Sequence, residues 1–191
     1  MAAELTIARM PAYIFGLLSV GWIAWMIPFF LNRKGGGPAQ TLDRRARWGI
    51  FIQGIGFAIL WMNQYWTRSP SIWRVVCAAC FFVLGSILSW TSARTLGRHW
   101  RFDAGLNPDH QLVQSGAYRV VRHPIYASML CMLLGTGFLI APMPALLLAL
   151  VFFLIGVEIR IRIEDALLAA RFGEAFVEYQ HRVPAYLPFI R

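Results

Sequence analysis

Apolar residues along the chain fall into five long stretches that are separated by shorter polar segments. The stretches lie at about residues 11–31, 48–66, 72–93 and 125–141, with the fifth starting near 145. Crossing a hydrocarbon layer of about 30 Å takes roughly 20 helical residues, and the stretches approach or exceed that length. The pattern therefore predicts an all-α integral membrane protein with five transmembrane helices.

The fifth stretch continues as a helical pattern past the expected edge of the membrane. From Ala145 to Arg171 a helix would be about 40 Å long, which exceeds the hydrocarbon thickness. Its last turns should therefore protrude and carry charged side chains to the membrane surface. Gly173 is placed to end this helix, and residues 174–182 predict a short helix that ends before Pro184.

Basic residues concentrate in three segments that five crossings would place on one side of the membrane. These are residues 32–47, residues 94–124 and the C-terminal tail. Arginine-rich and lysine-rich loops are retained in the cytoplasm, so we expect the N-terminus outside and the C-terminus in the cytoplasm. If the source is bacterial, this is a multi-pass protein of the inner membrane.

The same pattern predicts two regions. Residues 1–93 would hold three transmembrane helices. Residues 94–191 would hold a cytoplasmic connector, the last two transmembrane helices and a cytoplasmic C-terminal helical region that binds a cofactor.

The composition supports the membrane assignment, and the distribution of charge argues against nucleic acid as a partner. The chain is 58% hydrophobic and 14% charged, whereas about a quarter of the residues of a soluble domain are charged. Its net charge of +9 does not indicate nucleic-acid binding, because the arginines lie between the apolar stretches, where they set topology and contact lipid. Cys77 and Cys80 form a C-x-x-C with no second ligand pair, so they indicate helix packing and no metal site.

A tight turn joins the fourth and fifth stretches and makes them antiparallel neighbours. The turn is the P-M-P of residues 142–144. The sequences RHPIY (122–126) and EIRIRIED (158–165) must then lie close together at one membrane face. Pro124 suits the first position of a helix, whose positive dipole end favours an anionic group. Together these segments predict a pocket with both signs of charge, which suits a zwitterionic ligand.

Each of these features also has a simpler explanation. Arg122 could act only as one of the basic residues that set the orientation of the spans in the membrane. The charged residues of 158–165 could form ion pairs along the helix. Gly135 and Gly137 lie about three turns into the fourth helix, where glycine usually permits close helix packing. Glycine can equally let a ligand approach the backbone. Carboxylates near a membrane boundary nevertheless tend to be functional.

Four segments form an ordered set: TLGRHW (95–100), LVQSGAYRVVRHPIYAS (112–128), GTG (135–137) and EIRIRIEDALLAARFGEAFVEYQHRVPAYLPFI (158–190). In combination and order they resemble the isoprenylcysteine carboxyl methyltransferase family and, more distantly, the phospholipid N-methyltransferases. The likeness covers about residues 94–190, half the chain. It implies a membrane-embedded enzyme that uses S-adenosylmethionine.

The resemblance also implies which residues bind that cofactor. They belong to the family's cofactor-binding segment, its G-x-G element and its paired acidic element, in which Asp165 replaces the usual second glutamate. The implied residues are His110, Leu112, Val113, Tyr118, Arg122, His123, Pro124, Tyr126, Gly135, Gly137, Glu164 and Asp165. Arginine suits the cofactor's carboxylate, an acid suits its amino group or ribose, and tyrosine rings suit the sulfonium.

The expected reaction is carboxyl O-methylation of a lipid-modified (isoprenylcysteine-like) or other hydrophobic acid that arrives from the bilayer. Such a carboxylate is already ionised, so catalysis is mostly positioning and desolvation. The candidate catalytic residues are Arg160, Arg162 and Glu158, with either arginine holding the acceptor carboxylate. N-methylation of a phospholipid amine is an alternative that would need a base such as His123 or Glu158. A small membrane transporter or scaffold is an alternative of another class, and the oligomeric state stays open.

Overall fold

The computed structural model describes residues 10–31, 41–63, 68–97, 105–106 and 111–188. Within these ranges the regular structure is helical, apart from one pair of two-residue strands. The helices are α1 (Ala12–Leu31), α2 (Ala46–Trp61), α3 (Ile72–Leu96), α4 (Pro124–Ile140), α5 (Met143–Phe172) and α6 (Glu174–Arg182), with a 3-10 turn at Gly116–Arg119.

Three of these helices, α1, α3 and α5, are long and apolar enough to cross a membrane. The other two helices of the bundle, α2 and α4, are apolar but have only 16 and 17 residues, which is about 24–26 Å of helix. The prediction of an all-α integral membrane protein is therefore confirmed in its coarse form. Five crossings, the orientation of the termini and the division at residues 93 and 94 stay predictions.

The long last span has the predicted form. Helix α5 runs for 30 residues and ends at Gly173, whose φ of +56° lies in the left-handed region that favours glycine. Helix α6 then covers Glu174–Arg182 and ends before Pro184. Because α4 ends at Ile140 and α5 begins at Met143, the two helices form a tight hairpin.

Hydrogen bonds inside the apolar bundle hold α1 against its neighbours. Pro28 lacks an N–H, so the Ala24 carbonyl one turn earlier has no helical donor. The Trp90 indole of α3 donates to that carbonyl at 3.0 Å. The Trp25 indole of α1 donates to the Ser128 hydroxyl of α4 at 2.9 Å. Such bonds matter in a bilayer, where no water is present to satisfy polar groups.

Glycines bring α2 and α5 into backbone contact. A Cβ built on Gly49 would lie 2.6 Å from the Gly156 carbonyl oxygen, and one built on Gly156 would lie 2.6 Å from the Gly49 oxygen. A Cβ on Gly56 would similarly lie 2.8 Å from the Ala149 oxygen. Small residues at this interface therefore set the distance between the two helices.

A buried arginine donates hydrogen bonds to backbone carbonyls at the C-terminal end of α4. Arg74 of α3 donates from Nε to the Phe138 carbonyl at 2.7 Å and from Nη2 to the Gly137 carbonyl at 3.2 Å, and also to the Ala141 carbonyl. The last carbonyls of a helix have no partner within it. Arg74 therefore supplies donors at the end of α4, where the Gly137 carbonyl also accepts from the Ala141 N–H at 3.0 Å. It also brings a positive charge to the negative end of the helix dipole.

The strand pair joins two of the basic segments. Strand β1 (Thr41–Leu42) pairs antiparallel with β2 (Gly105–Leu106), with Thr41 opposite Leu106. Parts of residues 32–47 and 94–124 therefore lie at the same end of the bundle. This agrees with their predicted placement on one side of the membrane.

Candidate functional site

The α4–α5 hairpin brings the start of one helix beside the protruding end of the other, as the sequence predicted. Six side chains, acidic, basic and aromatic, meet there. We call them the acid–base cluster: Arg122, His123, Tyr126, Arg160, Glu164 and Asp165. Most of these side chains are buried or nearly so. Charges in such a position are stable only when they are paired.

Asp165 is the most completely paired carboxylate of the cluster. Its Oδ1 lies 2.8 Å from His123 Nε2, and its Oδ2 accepts from Arg122 Nη2 at 3.0 Å. Gln180 Nε2 of α6 also donates to Oδ2, at 3.2 Å. Through these bonds Asp165, on α5, joins the two residues before α4 to α6. Its side chain is only 12% exposed.

Glu164 has longer ionic contacts than Asp165 and one hydrogen bond from a tyrosine. Its Oε2 lies 3.5 Å from His123 Nδ1, and its Oε1 lies 3.6 Å from Arg160 Nη2. Tyr126 donates its hydroxyl to Oε1. With a side-chain exposure of 24%, Glu164 is the carboxylate of the pair that is more available to a ligand.

His123 is held between the two carboxylates. Burial disfavours its charged form, but hydrogen bonds to Asp165 and Glu164 outweigh that effect and raise the pKa of the imidazole above its usual value. The ring also stacks on Tyr126, with 5.7 Å between the ring centroids. His123 therefore stands before the first turn of α4 as a link between the two carboxylates, with no side-chain cap hydrogen bond.

The C-terminal tail is bound to the cluster through its backbone. The backbone N–H groups of Arg122 and His123 donate to the carbonyls of Pro184 and Ala185 at 2.8 and 2.7 Å. The Arg122 side chain also donates from Nη1 to the Val183 carbonyl. These bonds attach the segment after α6 to the start of α4.

An open groove lies beside the cluster on another side of α5. It has a volume of about 470 Å³, and its lining residues are Leu154, Ile155, Glu158, Ile159, Arg162 and Tyr186. We call it the outer groove, because Ile155 belongs to the apolar face of α5 that the bundle leaves exposed. Arg162 Nε donates to Glu158 Oε1 at 2.8 Å, and these side chains are 77% and 46% exposed.

Comparison with known proteins places this geometry in a family. A sequence profile described as phospholipid methyltransferase matches residues 73–175, more than half of the chain. The chain belongs to the phospholipid methyltransferase family. Protein-S-isoprenylcysteine O-methyltransferase B of Arabidopsis thaliana is 32% identical over 132 residues, covering 68% of this chain and 64% of that protein.

Two further similarities extend to a bacterial protein and to a solved structure. Cobalt-zinc-cadmium resistance protein CzcN of Cupriavidus metallidurans is 35% identical over 151 residues, covering 66% of this chain and 67% of that protein. The fold is similar to the structure of the eukaryotic intramembrane Ras methyltransferase ICMT, isoprenylcysteine carboxyl methyltransferase. The TM-score is 0.57 and the identity 22%, over 93% of this chain and 67% of that chain.

These similarities confirm the predicted relationship to the isoprenylcysteine carboxyl methyltransferases at the level of family and fold. The chain spans less than two thirds of the length of the first curated relatives it matches, 64% of the Arabidopsis thaliana protein and 43% of the Tribolium castaneum protein-S-isoprenylcysteine O-methyltransferase. The substrates in the names of those relatives therefore describe the relatives. For this chain the substrate is a proposal.

Most of the predicted cofactor-binding residues of this phospholipid methyltransferase family member lie at the cluster or next to it. Pro124 is the first residue of α4, as predicted. Tyr118 is buried nearby, where its carbonyl accepts from the Tyr179 hydroxyl at 2.5 Å, and burial raises the pKa of its own hydroxyl. Leu112 and Val113 are half-buried in the segment before the 3-10 turn. His110 lies outside the described residues.

The two glycines of the G-x-G element lie against side chains of neighbouring helices. A Cβ on Gly135 would lie 2.8 Å from the Phe82 ring, and one on Gly137 would meet the Leu146 side chain. These contacts favour the helix-packing role that the sequence left as the alternative. The assignment of both glycines to cofactor binding stays a prediction.

The three candidate catalytic residues lie at two different sites, one in the acid–base cluster and two at the outer groove. Arg160 and Arg162 are two positions apart, which is about 200° around a helix, so they point to different sides of α5. Arg160 is buried in the cluster, with its guanidinium carbon 5.1 Å from the centroid of the Tyr126 ring, a cation–π distance. Arg162 and Glu158 instead line the outer groove.

Sequence reasoning missed two features of the site. Gln180 donates to Asp165 from α6, and the tail carbonyls bond to the start of α4. The motif RVPAYLPFI was noted only as part of the family resemblance. Backbone acceptors leave no trace in a pattern of side chains, so only the structure shows how this tail is used.

Proposed function

We propose that this chain is an integral membrane methyltransferase that transfers the methyl group of S-adenosylmethionine to the carboxylate of a hydrophobic acid. The acid–base cluster carries this proposal, because it combines buried charges of both signs with aromatic rings at the end of a membrane-length hairpin. Family membership and relatives named as isoprenylcysteine O-methyltransferases support a lipid-modified cysteine as acceptor.

The cluster residues fit S-adenosylmethionine in their chemistry. Glu164, with its two contacts near 3.5 Å, would hold the ammonium group or the ribose hydroxyls. Arg122 Nε is buried without a hydrogen-bond partner in the part of the chain that the structure describes, so it offers a donor to the cofactor's carboxylate. The Tyr126 ring, which stacks on His123 and lies against the Arg160 guanidinium, would border the aromatic part of the cofactor. The cofactor, when bound, supplies an electrophilic methyl group.

The chain's own residues supply position and exclude water. A carboxylate acceptor is ionised at neutral pH, so the reaction needs no strong base and depends on holding the reactants in line. Arg122 and His123 hold the tail across the start of α4 through its backbone carbonyls, which helps to screen the cluster from solvent. Low local dielectric strengthens the charge alignment inside such a site.

The proposal includes five membrane crossings, with the N-terminus outside and the C-terminus and active site in the cytoplasm. Its support is the distribution of basic residues and the pairing of β1 with β2, which joins two basic segments at the end of the bundle where α2 begins. The short α2 and α4 would cross a locally thinned bilayer, as mismatched helices do.

Cofactor binding to the detergent-solubilised protein tests the site directly. Titration calorimetry should show that S-adenosylmethionine binds the unaltered protein and binds Glu164→Gln at least about tenfold more weakly, since charge-assisted hydrogen bonds are the strong ones. Glu174→Gln, at the exposed first position of α6, is the control and should bind normally. Equal binding by all three proteins would remove Glu164 from the cofactor site.

A phospholipid amine is the second candidate acceptor, because the matching family profile is named for phospholipid methylation. An amine must lose a proton before it attacks, so its rate should rise with pH. The product separates the two candidates: a methyl ester releases methanol in base, whereas an N-methyl group does not.

A further inference from the structure

Gln53 is a polar residue in the apolar interface between α2 and α5. It lies on the buried face of α2, together with Ala46, Gly49, Gly56 and Leu60. Gln53 is only 2% exposed, and neither polar atom of its amide has a hydrogen-bond partner within the described ranges. An unpaired buried amide is destabilising. It is explained most simply if the amide gains a partner in another state of the protein.

The same interface holds Arg160 of the acid–base cluster, one helical turn away. A Cβ built on Gly49 would lie 2.5 Å from Arg160 Cγ, so the aliphatic part of this arginine lies against α2. A Cβ built on Gly156 would lie 2.8 Å from Gln53 Cγ. Four positions separate Gly49 from Gln53, and four separate Gly156 from Arg160, which is about 6 Å along each helix axis. The two side chains therefore leave their helices on consecutive turns of one interface.

Arg160 stands where the methyl donor is proposed to bind. Its Nη2 lies 3.6 Å from Glu164 Oε1, and its guanidinium carbon lies 5.1 Å from the centroid of the Tyr126 ring. Under the proposed function, Glu164 holds the ammonium group of the cofactor and Tyr126 borders its aromatic part. A second cation at Glu164 repels the guanidinium. Arg160 must therefore turn away from Glu164 when the cofactor binds, and it needs a new hydrogen-bond acceptor in a buried setting.

We propose that Gln53 is a positioning residue whose amide oxygen accepts a hydrogen bond from Arg160 when S-adenosylmethionine occupies Glu164. Rotation about the last bonds of the arginine side chain moves its guanidinium from Glu164 to the amide. The unpaired amide destabilises the ligand-free protein, and its pairing in the complex favours cofactor binding. This inference rests on the proposed function, because it requires that a cationic group of the cofactor pairs with Glu164.

Gln53→Met should change stability and cofactor affinity in opposite directions. Methionine has a similar shape and no amide, so the unfolding midpoint of the ligand-free variant in detergent should rise. Titration calorimetry should nevertheless show that the variant binds S-adenosylmethionine at least about tenfold more weakly than the unaltered protein, the effect of one hydrogen bond to a charged group. A residue that only supports packing would not combine a gain in stability with a loss of affinity.

A double-mutant cycle tests whether Gln53 acts through Arg160. Arg160→Met has no guanidinium to relocate, so adding Gln53→Met to it should not weaken cofactor binding further. Independent effects of the two substitutions would overturn the pairing. Gln53→Glu gives the same answer without a change at Arg160, because it keeps an acceptor oxygen at this position. It should bind the cofactor more tightly than Gln53→Met does, and equal affinities of these two variants would overturn the pairing.

Leu60→Met is the matched control, because Leu60 lies on the same buried face of α2, two turns farther from the cluster. This variant should bind S-adenosylmethionine normally. Equal weakening by Leu60→Met and Gln53→Met would mean that packing of α2 alone is responsible, and would overturn the role of Gln53. Full affinity in Gln53→Met would overturn that role and leave the proposed function standing. Absence of binding by the unaltered protein would instead contradict the proposed function itself.

Discussion

His123 Nε2 lies 2.8 Å from Asp165 Oδ1, which joins the residue before α4 to the protruding end of α5. The other ring nitrogen of His123 lies 3.5 Å from Glu164. One imidazole thus links both carboxylates and fixes the mutual position of two helices and the tail. Arg122 adds an ion pair to Asp165 at 3.0 Å, so this carboxylate is paired before any ligand binds.

Asp165→Asn should destabilise the protein strongly. It removes the charge that His123 and Arg122 share, and breaking a buried pair by removing one partner costs about 3–5 kcal/mol. The midpoint of thermal unfolding in detergent should fall by several degrees. Asp43→Asn, which alters an ion pair with the exposed Arg45, should leave the midpoint unchanged. A normal midpoint for Asp165→Asn would show that the cluster contributes no stability.

The raised pKa of His123 predicts how stability depends on pH. The imidazole gains Asp165 and Glu164 as partners on folding, while Arg122 and Arg160 lie on the same carboxylates and the Tyr126 hydroxyl bonds to Glu164. A group with a raised folded-state pKa stabilises fully below its unfolded value near 6.5, and this contribution is lost as pH rises through the folded-state pKa.

The pH effect is measured as a difference between two proteins. The unfolding midpoint of the unaltered protein should fall relative to that of His123→Gln as the pH is raised from 6 to about 9. Subtracting the variant removes the titration of every other group. A difference that stays constant across this range would mean that His123 does not change its charge there.

Replacing Gln53 should raise the unfolding midpoint, whereas replacing Asp165 should lower it. It lies on α2 against Gly156, is 2% exposed, and neither polar atom of its amide has a hydrogen-bond partner within the described ranges. A buried polar group without a partner costs about 1–3 kcal/mol. Gln53→Met, which has a similar shape, should therefore raise the unfolding midpoint. A lowered midpoint would reveal that the amide has a stabilising partner.

Replacing Arg74 should lower the stability of the bundle at the C-terminal end of α4. Arg74→Met would remove the arginine donors of the Phe138 and Ala141 carbonyls in a buried setting, and each lost partner costs about 1–3 kcal/mol. The unfolding midpoint should fall clearly, whereas Arg119→Met, at an exposed position, should have little effect. Binding of S-adenosylmethionine by folded Arg74→Met should be normal, because Arg74 lies at the opposite end of α4 from the cluster. Weakened binding in the folded variant would mean that the two ends are coupled.

The sequence predicted which two segments form the site, because the short turn between α4 and α5 forces them together. A two-residue turn between apolar helices forces an antiparallel hairpin, so RHPIY had to meet EIRIRIED, and the structure shows Arg122 and His123 at Asp165. The length of α5 and its end at Gly173 followed from helix rise and the conformational freedom of glycine.

Choices between chemically similar neighbours could not be predicted from the sequence. The difference between Glu164 and Asp165 depends on side-chain length and on Gln180, which approaches from α6. The separation of Arg160 from Arg162 depends on where α2 and α4 pack around α5. The role of Gly135 depends on Phe82, 53 positions earlier in the chain. Such contacts are set by packing between distant segments.

The most direct test of the central claim is transfer of a labelled methyl group. Purified protein is incubated with methyl-labelled S-adenosylmethionine and N-acetyl-S-farnesylcysteine, and the product is treated with base. We expect label that base releases as methanol, and at least about tenfold less of it from Glu164→Gln under subsaturating cofactor. Label that resists base, or equal transfer by Glu164→Gln, would contradict carboxyl methylation at this cluster.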